Sequence, residues 1–336
     1  MATAPAPTPV AVLGAGSWGT ALAILLARNG FRTLLWGHDP ARVAQMARER
    51  RNQRYLPTVS LPDLVEPSED LQQIAAESRR FLLVVPSHAF RSTLCVLRPL
   101  LPRDAVVAWA TKGLEPGSAK LLSQVITEEL GADVASGVIS GPTFAREVAQ
   151  GLPTGLAVAS ADSGVADEIA SWLRSDRIRV YTNSDVVGVQ LGGAIKNVIA
   201  IAAGISDGLG FGANARVALI TRGLAELTRL GVALGGHAET FMGLAGVGDL
   251  VLTCTDDQSR NRRVGLGLGR GRSLAQILGE LGQEAEGVST AREVLALARQ
   301  HHVDMPITEQ TVRVLDGEAS PQEAVEALLS REPRAE

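Results

Sequence analysis

From Val10 to Asn183 the chain alternates short apolar runs with longer stretches whose apolar residues recur every three or four positions. The runs predict strands at 10–13, 33–36, 81–85, 105–110, 137–140, 156–159 and 178–181. Helical patterns between them include 18–28, 118–130 and 164–173. Strand, helix and strand at this spacing predict an α/β domain: a doubly wound, mostly parallel sheet with helices on both faces. Beyond Asn183 strand signals fade and helical patterns dominate, at 186–205, 215–231, 274–281, 289–300 and 321–329. The expected organisation is a disordered Ala/Pro/Thr-rich lead over 1–9, an α/β domain over 10–183 and an all-helical domain over 184–336.

The first strand runs into Gly14-Ala15-Gly16-Ser17-Trp18-Gly19, a GxGxxG turn followed by an alanine-rich helix that stops at Asn29-Gly30. In that context Gly14 allows the tight turn, Gly16 lets a pyrophosphate approach, and Gly19 lets the helix pack against the strand. The helix N-terminus then offers N–H groups to the phosphates. The expectation is a Rossmann-type domain holding NAD(P). Two other glycine runs, Gly208-Leu-Gly210-Phe-Gly212 and Gly265-Leu-Gly267-Leu-Gly269, lack a preceding strand and read as loops. At the end of the second strand stands Gly37-His38-Asp39-Pro40. Asp39 suits either the ribose hydroxyl of NADH or the N-cap of a helix with proline at its first position. Gly37, His38 and Arg42 leave room and charge for a 2′-phosphate, so NADPH is expected, with NADH as the alternative.

Composition narrows the classes. The 336 residues are 46% hydrophobic and 20% charged, a globular balance sufficient for two compact domains. A net charge of −4 offers no basic stripe, so no nucleic-acid partner is expected. Two cysteines, Cys95 and Cys254, make neither a disulfide framework nor a metal pattern, so a reducing cytoplasm is expected. The uncharged stretch 1–27 lacks the basic start of a secretory signal and is broken by glycines. No other uncharged run looks long and apolar enough to span a bilayer, so no membrane insertion is expected. Only Lys112, Lys120 and Lys196 among the 32 basic residues are lysines, which singles them out as candidates for positions where arginine chemistry would fail.

Lys196 lies within an apolar helical stretch beside Asn197. Such a lysine either snorkels outward or faces a site that rewards its charge, and burial would lower its pKa toward that of a proton donor working near neutrality. Lys112 closes a strand at the edge where open α/β sheets bind ligands, as do Gly141 and Thr143. Asp249 reads equally as a helix cap or as an anchor for an ammonium. Ser259-Arg260-Asn261 combines a hydroxyl, a guanidinium and an amide, which suits a phosphate, or else forms a solvated basic face.

Taken together these motifs resemble the NAD(P)-dependent sn-glycerol-3-phosphate dehydrogenases of the bacterial type. The residues that carry the likeness are Gly14-Ala-Gly-Ser-Trp-Gly-Thr-Ala, Leu35-Trp36, Thr111-Lys112-Gly113-Leu-Glu, Ser140-Gly-Pro-Thr-Phe-Ala, Gly192-Gly-Ala-Ile-Lys-Asn, Gly246-Val-Gly-Asp, Ser259-Arg-Asn and Glu286-Gly. The resemblance implies reversible reduction of dihydroxyacetone phosphate to sn-glycerol 3-phosphate for phospholipid synthesis. It implies Lys196 as proton donor and acceptor, assisted by Lys112 and Asp249. Lys112, Gly141, Thr143, Lys196, Asn197, Asp249, Ser259, Arg260 and Asn261 would contact substrate. Ser17, Trp18, His38, Tyr55, Lys112, Ala145, Arg260, Glu284 and Glu286 would contact the cofactor. His38 departs from the family's usual arginine, Thr143 from its serine, and Glu284 from an apolar residue. The rival enzyme is a two-domain reductase of the hydroxyacid or ketopantoate type acting on a carboxylate, which arginine also grips. A nicotinamide-sensing regulator would need a DNA-reading module that the sequence lacks. A homodimer is the default assembly.

Overall fold

The computed structural model describes residues 8–332. The expected N-terminal lead therefore lies outside the described residues as far as residue 7, as do 333–336. The chain divides into two compact units, Met1–Thr111 with Leu122–Val186, and Lys112–Leu121 with Val187–Glu336. The excursion Lys112–Leu121 thus packs with the helical unit, whereas the sequence pattern places it within the α/β domain over 10–183.

The first unit is built on eight strands: β1 Val10–Leu13, β2 Thr33–Trp36, β3 Val65–Ser68, β4 Arg80–Leu83, β5 Val106–Trp109, β6 Ala135–Ser140, β7 Thr154–Ala159 and β8 Ile178–Asn183. Their order across the sheet is β8-β7-β6-β5-β4-β1-β2-β3. All neighbours run parallel except β6 and β7. Strands covered on both faces read as continuous apolar runs, and β1 is fully buried throughout. The edge strand β3 escapes the hydrophobic pattern because it reads Val-Glu-Pro-Ser. Pro67 has no N–H to donate, which only an edge position tolerates. A short hairpin, Arg51–Asn52 with Leu56–Ser60, is likewise too polar to announce itself.

The second unit is helical. Its central helix, Val186–Gly208, is buried from Gly188 to Ser206. By length and composition this helix could cross a membrane, contrary to the sequence expectation that no run would. However, 83% of its apolar window is buried inside the protein, as a core helix requires. Helices Leu274–Leu281 and Pro321–Leu329 begin with capping boxes, Ser273 with Gln276 and Ser320 with Glu323. These local signals make both helices legible in the sequence. Helix Pro306–Leu315 is capped from a distance instead. The buried Glu226 carboxylate accepts from Ile307 N at 2.5 Å and Thr308 N at 3.1 Å, a partnership no local pattern reveals.

Gly265, Gly267 and Gly269 correct the loop expectation, for they lie inside helix Arg260–Gly269. Gly204 and Gly208 on the central helix face Gly265 and Gly269, so the two backbones meet with no side chain between them. A Cβ on Gly265 would stand 2.8 Å from Ile205 N and 2.9 Å from Gly204 Cα, and would also strike the Ile201 carbonyl oxygen. Gly265→Ala is therefore expected to cost about 1–3 kcal/mol through overpacking. Urea unfolding measures this, and a midpoint equal to the parent's would show that the helices part without cost.

Candidate active site

In the first unit, the turn between β1 and helix Ser17–Arg28 is shaped by what it excludes. Gly14 has φ +124°, and a Cβ there would lie 2.6 Å from the Val84 carbonyl oxygen. A Cβ on Gly19 would run into the Gly14 carbonyl oxygen. Gly16, by contrast, faces open space, and as N-cap it brings no side chain to the helix N-terminus. Trp18 Nε1 is buried without a partner. A close-walled turn, an uncapped helix start and an orphaned donor fit the pyrophosphate of a dinucleotide. The turn is braced by Asn52, whose Nδ2 donates to Ala15 O at 2.9 Å and Thr20 Oγ1 at 2.8 Å. Sequence reading passes over Asn52, since an asparagine in a polar hairpin carries no distinguishing signal.

At the end of β2, Asp39 takes its structural role. Its Oδ1 accepts from Arg42 N at 3.2 Å as the N-cap of helix Pro40–Glu49. Its other oxygen pairs with Arg42 Nε at 2.9 Å. Arg42 also reaches Tyr55 Oη, at 3.4 Å, and His38 next to it is exposed. Asp39 is thus engaged as a helix cap and ion-pair partner, and a guanidinium and an imidazole stand beside it, groups whose chemistry suits a phosphate.

The second unit carries a buried charge cluster. Lys196 sits in the central helix with its side chain only 7% exposed, so it does not snorkel. Its Nζ donates to Asp249 Oδ1 and, at 3.0 Å, to Thr253 Oγ1. Lys112 Nζ donates to the other oxygen of Asp249 at 2.7 Å. Asp249 is fully buried at the start of helix Asp249–Thr255, so it acts as the anchor. Gly192, one turn before Lys196, makes this meeting feasible. A Cβ there would strike the Ala245 carbonyl oxygen in the turn Leu244–Gly248 that delivers Asp249. Burial pushes the Lys196 ammonium down to about 7, against the pull of Asp249 and with the help of Lys112. A lysine poised at neutrality beside a fixed carboxylate can hand a proton to a developing alkoxide or take one from an alcohol.

Comparison with known proteins fixes the lineage. Residues 9–166 match the model of the NAD-dependent glycerol-3-phosphate dehydrogenase N-terminus, and residues 185–326 that of the C-terminus. The chain belongs to the NAD-dependent glycerol-3-phosphate dehydrogenase family. It is 59% identical over 328 residues to a protein of Thioalkalivibrio sulfidiphilus named glycerol-3-phosphate dehydrogenase [NAD(P)+], covering 98% of each chain. A protein of the same name from Pseudoalteromonas translucida is 56% identical over 332 residues, covering 98% of this chain and 99% of that one. The crystal structure of the glycerol-3-phosphate dehydrogenase of Coxiella burnetii superposes with a TM-score of 0.94 at 47% identity, covering 97% of this chain and all of that one.

Within this dehydrogenase the remaining predicted site residues fall into two groups. Gly141, Thr143 and Ala145 lie in the first unit, just after β6, where Thr143 Oγ1 donates to Gly141 O at 3.2 Å. Ser17, Trp18, His38 and Tyr55 share that unit. The others gather in the second unit. Arg260 Nη1 donates to Gln283 Oε1 at 3.0 Å. Asn261 Oδ1 accepts from Gly287 N at 2.9 Å, and Ser259 Oγ caps its own helix through Arg262 N. Asn197 is buried in the central helix beside Lys196. Glu286 keeps some accessible surface, yet burial of its carboxyl pushes it up to about 7 while Arg260 pulls it down. Glu284 is exposed. The basic run is not one solvated face, because Arg262 turns inward to Asp207 at 2.5 Å. Thr253, missed in the sequence, stands one helical turn after Asp249 on the same face. That i, i+4 spacing is its only sequence signal.

Proposed function

We propose that this enzyme interconverts dihydroxyacetone phosphate and sn-glycerol 3-phosphate with NADPH, NADH being the weaker alternative, and so supplies the glycerol backbone of phospholipids. The observation that carries the reading is the Lys112–Asp249–Lys196 cluster, together with near-identical length and name in relatives more than half identical. A carboxylate-reducing activity of the ketopantoate type is not favoured by those relatives. In this reading the first unit is the dinucleotide-binding domain and the helical unit the substrate domain.

The dihydronicotinamide, when bound, supplies the hydride. In the first unit Gly14, Gly16, Ser17, Trp18 and Gly19 would hold the pyrophosphate and His38, Arg42 and Tyr55 would favour a 2′-phosphate, with Ala145 a further cofactor contact. In the helical unit Lys112, Arg260, Glu284 and Glu286 are the proposed cofactor contacts. Lys196 as ammonium protonates the ketone oxygen as negative charge grows there, and takes the proton back in the reverse direction. Asp249 holds that ammonium charged and in place, and Lys112, on the carboxylate's other oxygen, helps hold the network. In the helical unit Arg260 and Asn261 would bind the phosphate, with Ser259 and Asn197 as further substrate contacts, and this remote binding energy orients the carbonyl. In the first unit Gly141 and Thr143 are the proposed substrate contacts. The two unpaired cysteines agree with a cytoplasmic location. A homodimer is proposed as the assembly, to be tested by a solution mass near twice 35.2 kDa.

The test is oxidation of NADPH and NADH, followed at the nicotinamide absorbance band, with dihydroxyacetone phosphate and with ketopantoate as the competing substrate. Turnover of ketopantoate alone would overturn the reading. Arg42→Ala addresses cofactor choice. Loss of a charge-assisted bond to phosphate is worth about 1.5–3 kcal/mol, so kcat/KM for NADPH is expected to fall about 10–100-fold with NADH little changed. An unchanged NADPH-to-NADH ratio would remove Arg42 from the 2′-phosphate.

A further inference from the structure

The excursion Lys112–Leu121 carries one of the two site lysines, and it is held by the helical unit rather than by the sheet it interrupts. Leu114, Ala119 and Leu121 are buried in the helical unit's core. Between them the chain turns back through two left-handed positions, Gly117 at φ +81° and Ala119 at φ +55°. The loop is stitched by Glu115 N donating to Lys120 O at 2.9 Å and by Ser118 Oγ donating to Glu115 Oε2 at 2.5 Å. At its tip Gly117 N donates to Glu293 Oε1 at 3.0 Å, on helix Gly287–Gln300. At its base stands Lys112 on Asp249.

A lysine has four methylenes whose rotamer freedom opposes any fixed placement of its ammonium, so the backbone beneath it must be held. Leu114 and Leu121 anchor the two ends by burial, which is non-directional. The polar tie to Gly117 sets how the turn between them lies. We infer that Glu293 is a positioning residue for Lys112, and that by clamping Gly117 it keeps the Lys112 ammonium on Asp249. This rests on the reading of Lys196 as proton donor, but it has a signature of its own. Lys112 shares Asp249 with Lys196 and repels the Lys196 charge. Glu286 and Cys254 also lie within electrostatic range of Lys196, and neither belongs to the loop. When the clamp is lost and Lys112 drifts, Lys196 gains a larger share of the carboxylate and loses a like charge. Both changes make it hold its proton more tightly.

Having only three lysines makes the test direct. Protein labelled at lysine Cε gives three lysine NMR signals, with that of Lys196 assigned by its absence in Lys196→Met. The Lys196 midpoint is expected near 7 in the parent and higher by about half a pH unit or more in Glu293→Ala. Glu293→Gln keeps a carbonyl acceptor at the same reach and is expected to restore the parent midpoint. The same variants assayed for dihydroxyacetone phosphate reduction should show kcat down about three- to tenfold in Glu293→Ala and restored in Glu293→Gln. A Lys196 midpoint unmoved in Glu293→Ala, or moved equally in Glu293→Gln, overturns the inference whatever the activity. A parent that titrates as expected but reduces no dihydroxyacetone phosphate overturns the functional reading and leaves the clamp standing.

Discussion

Lys196→Met is expected to lose about 10²–10⁴ in turnover, the span that a positioned acid or base contributes, while binding NADPH as the parent does. Methionine matches the unbranched four-atom stem of lysine and lacks only the ammonium, so the central helix keeps its packing. Asp249 keeps Lys112 as its partner, which limits the loss of stability. The parent's own pH dependence follows from the same group. With the ammonium held near 7, reduction needs the protonated form and falls as pH rises through that value. Oxidation of glycerol 3-phosphate needs the neutral amine and rises over the same range. In Lys196→Met both dependences on this group should vanish with the rate. Stopped-flow rates across pH 6–9 measure them together, and near-parent turnover in the variant would remove Lys196 from proton transfer.

Asp249→Asn is expected to cost about a hundredfold or more in reduction at pH 7, by a different route. The Asp249 carboxylate is the principal influence raising the Lys196 pKa, while burial and Lys112 lower it. At about 4 Å and an effective dielectric of about 20, one unit charge is worth about 4 kcal/mol. That is about three pH units, so Lys196 would be an amine at neutrality. The sign matters. The alkaline limb of reduction moves to lower pH, and activity should partly return toward pH 5–6. Oxidation, which uses the amine, should suffer less than reduction does. A variant whose limb stays near 7 would show that Asp249 does not hold the proton on Lys196. Asparagine preserves the shape of the buried side chain, so a folded protein is expected and circular dichroism checks it.

How much of this was legible before folding differs between the two units for a physical reason. Strands buried on both faces must be apolar throughout, so β1 and β2 can be read to the residue, and the GxGxxG turn announces its ligand because backbone geometry alone demands those glycines. Capping boxes at Ser273 and Ser320 are local, and they mark their helices locally. Lys196, Lys112 and Asp249 were each visible as candidates, but each was ambiguous, since a single lysine in an apolar helix or a single aspartate after a glycine has an ordinary structural role as well. Only the tertiary structure decided among those roles. Residues 112, 196 and 249 are far apart in the chain, and their charges acquire chemistry by sharing one carboxylate out of water. The same holds for Gly204 against Gly265, which looked like loop glycine until a second helix lay across it, and for Glu226 capping a helix about eighty residues away. The sequence by itself determined what is set by neighbours along the chain: periodicity, caps, turns and the dinucleotide fingerprint. What depends on desolvation and on close approach between distant segments, including the neutral-range lysine itself, was decided by the fold, because a charge has no pKa shift until something buries it.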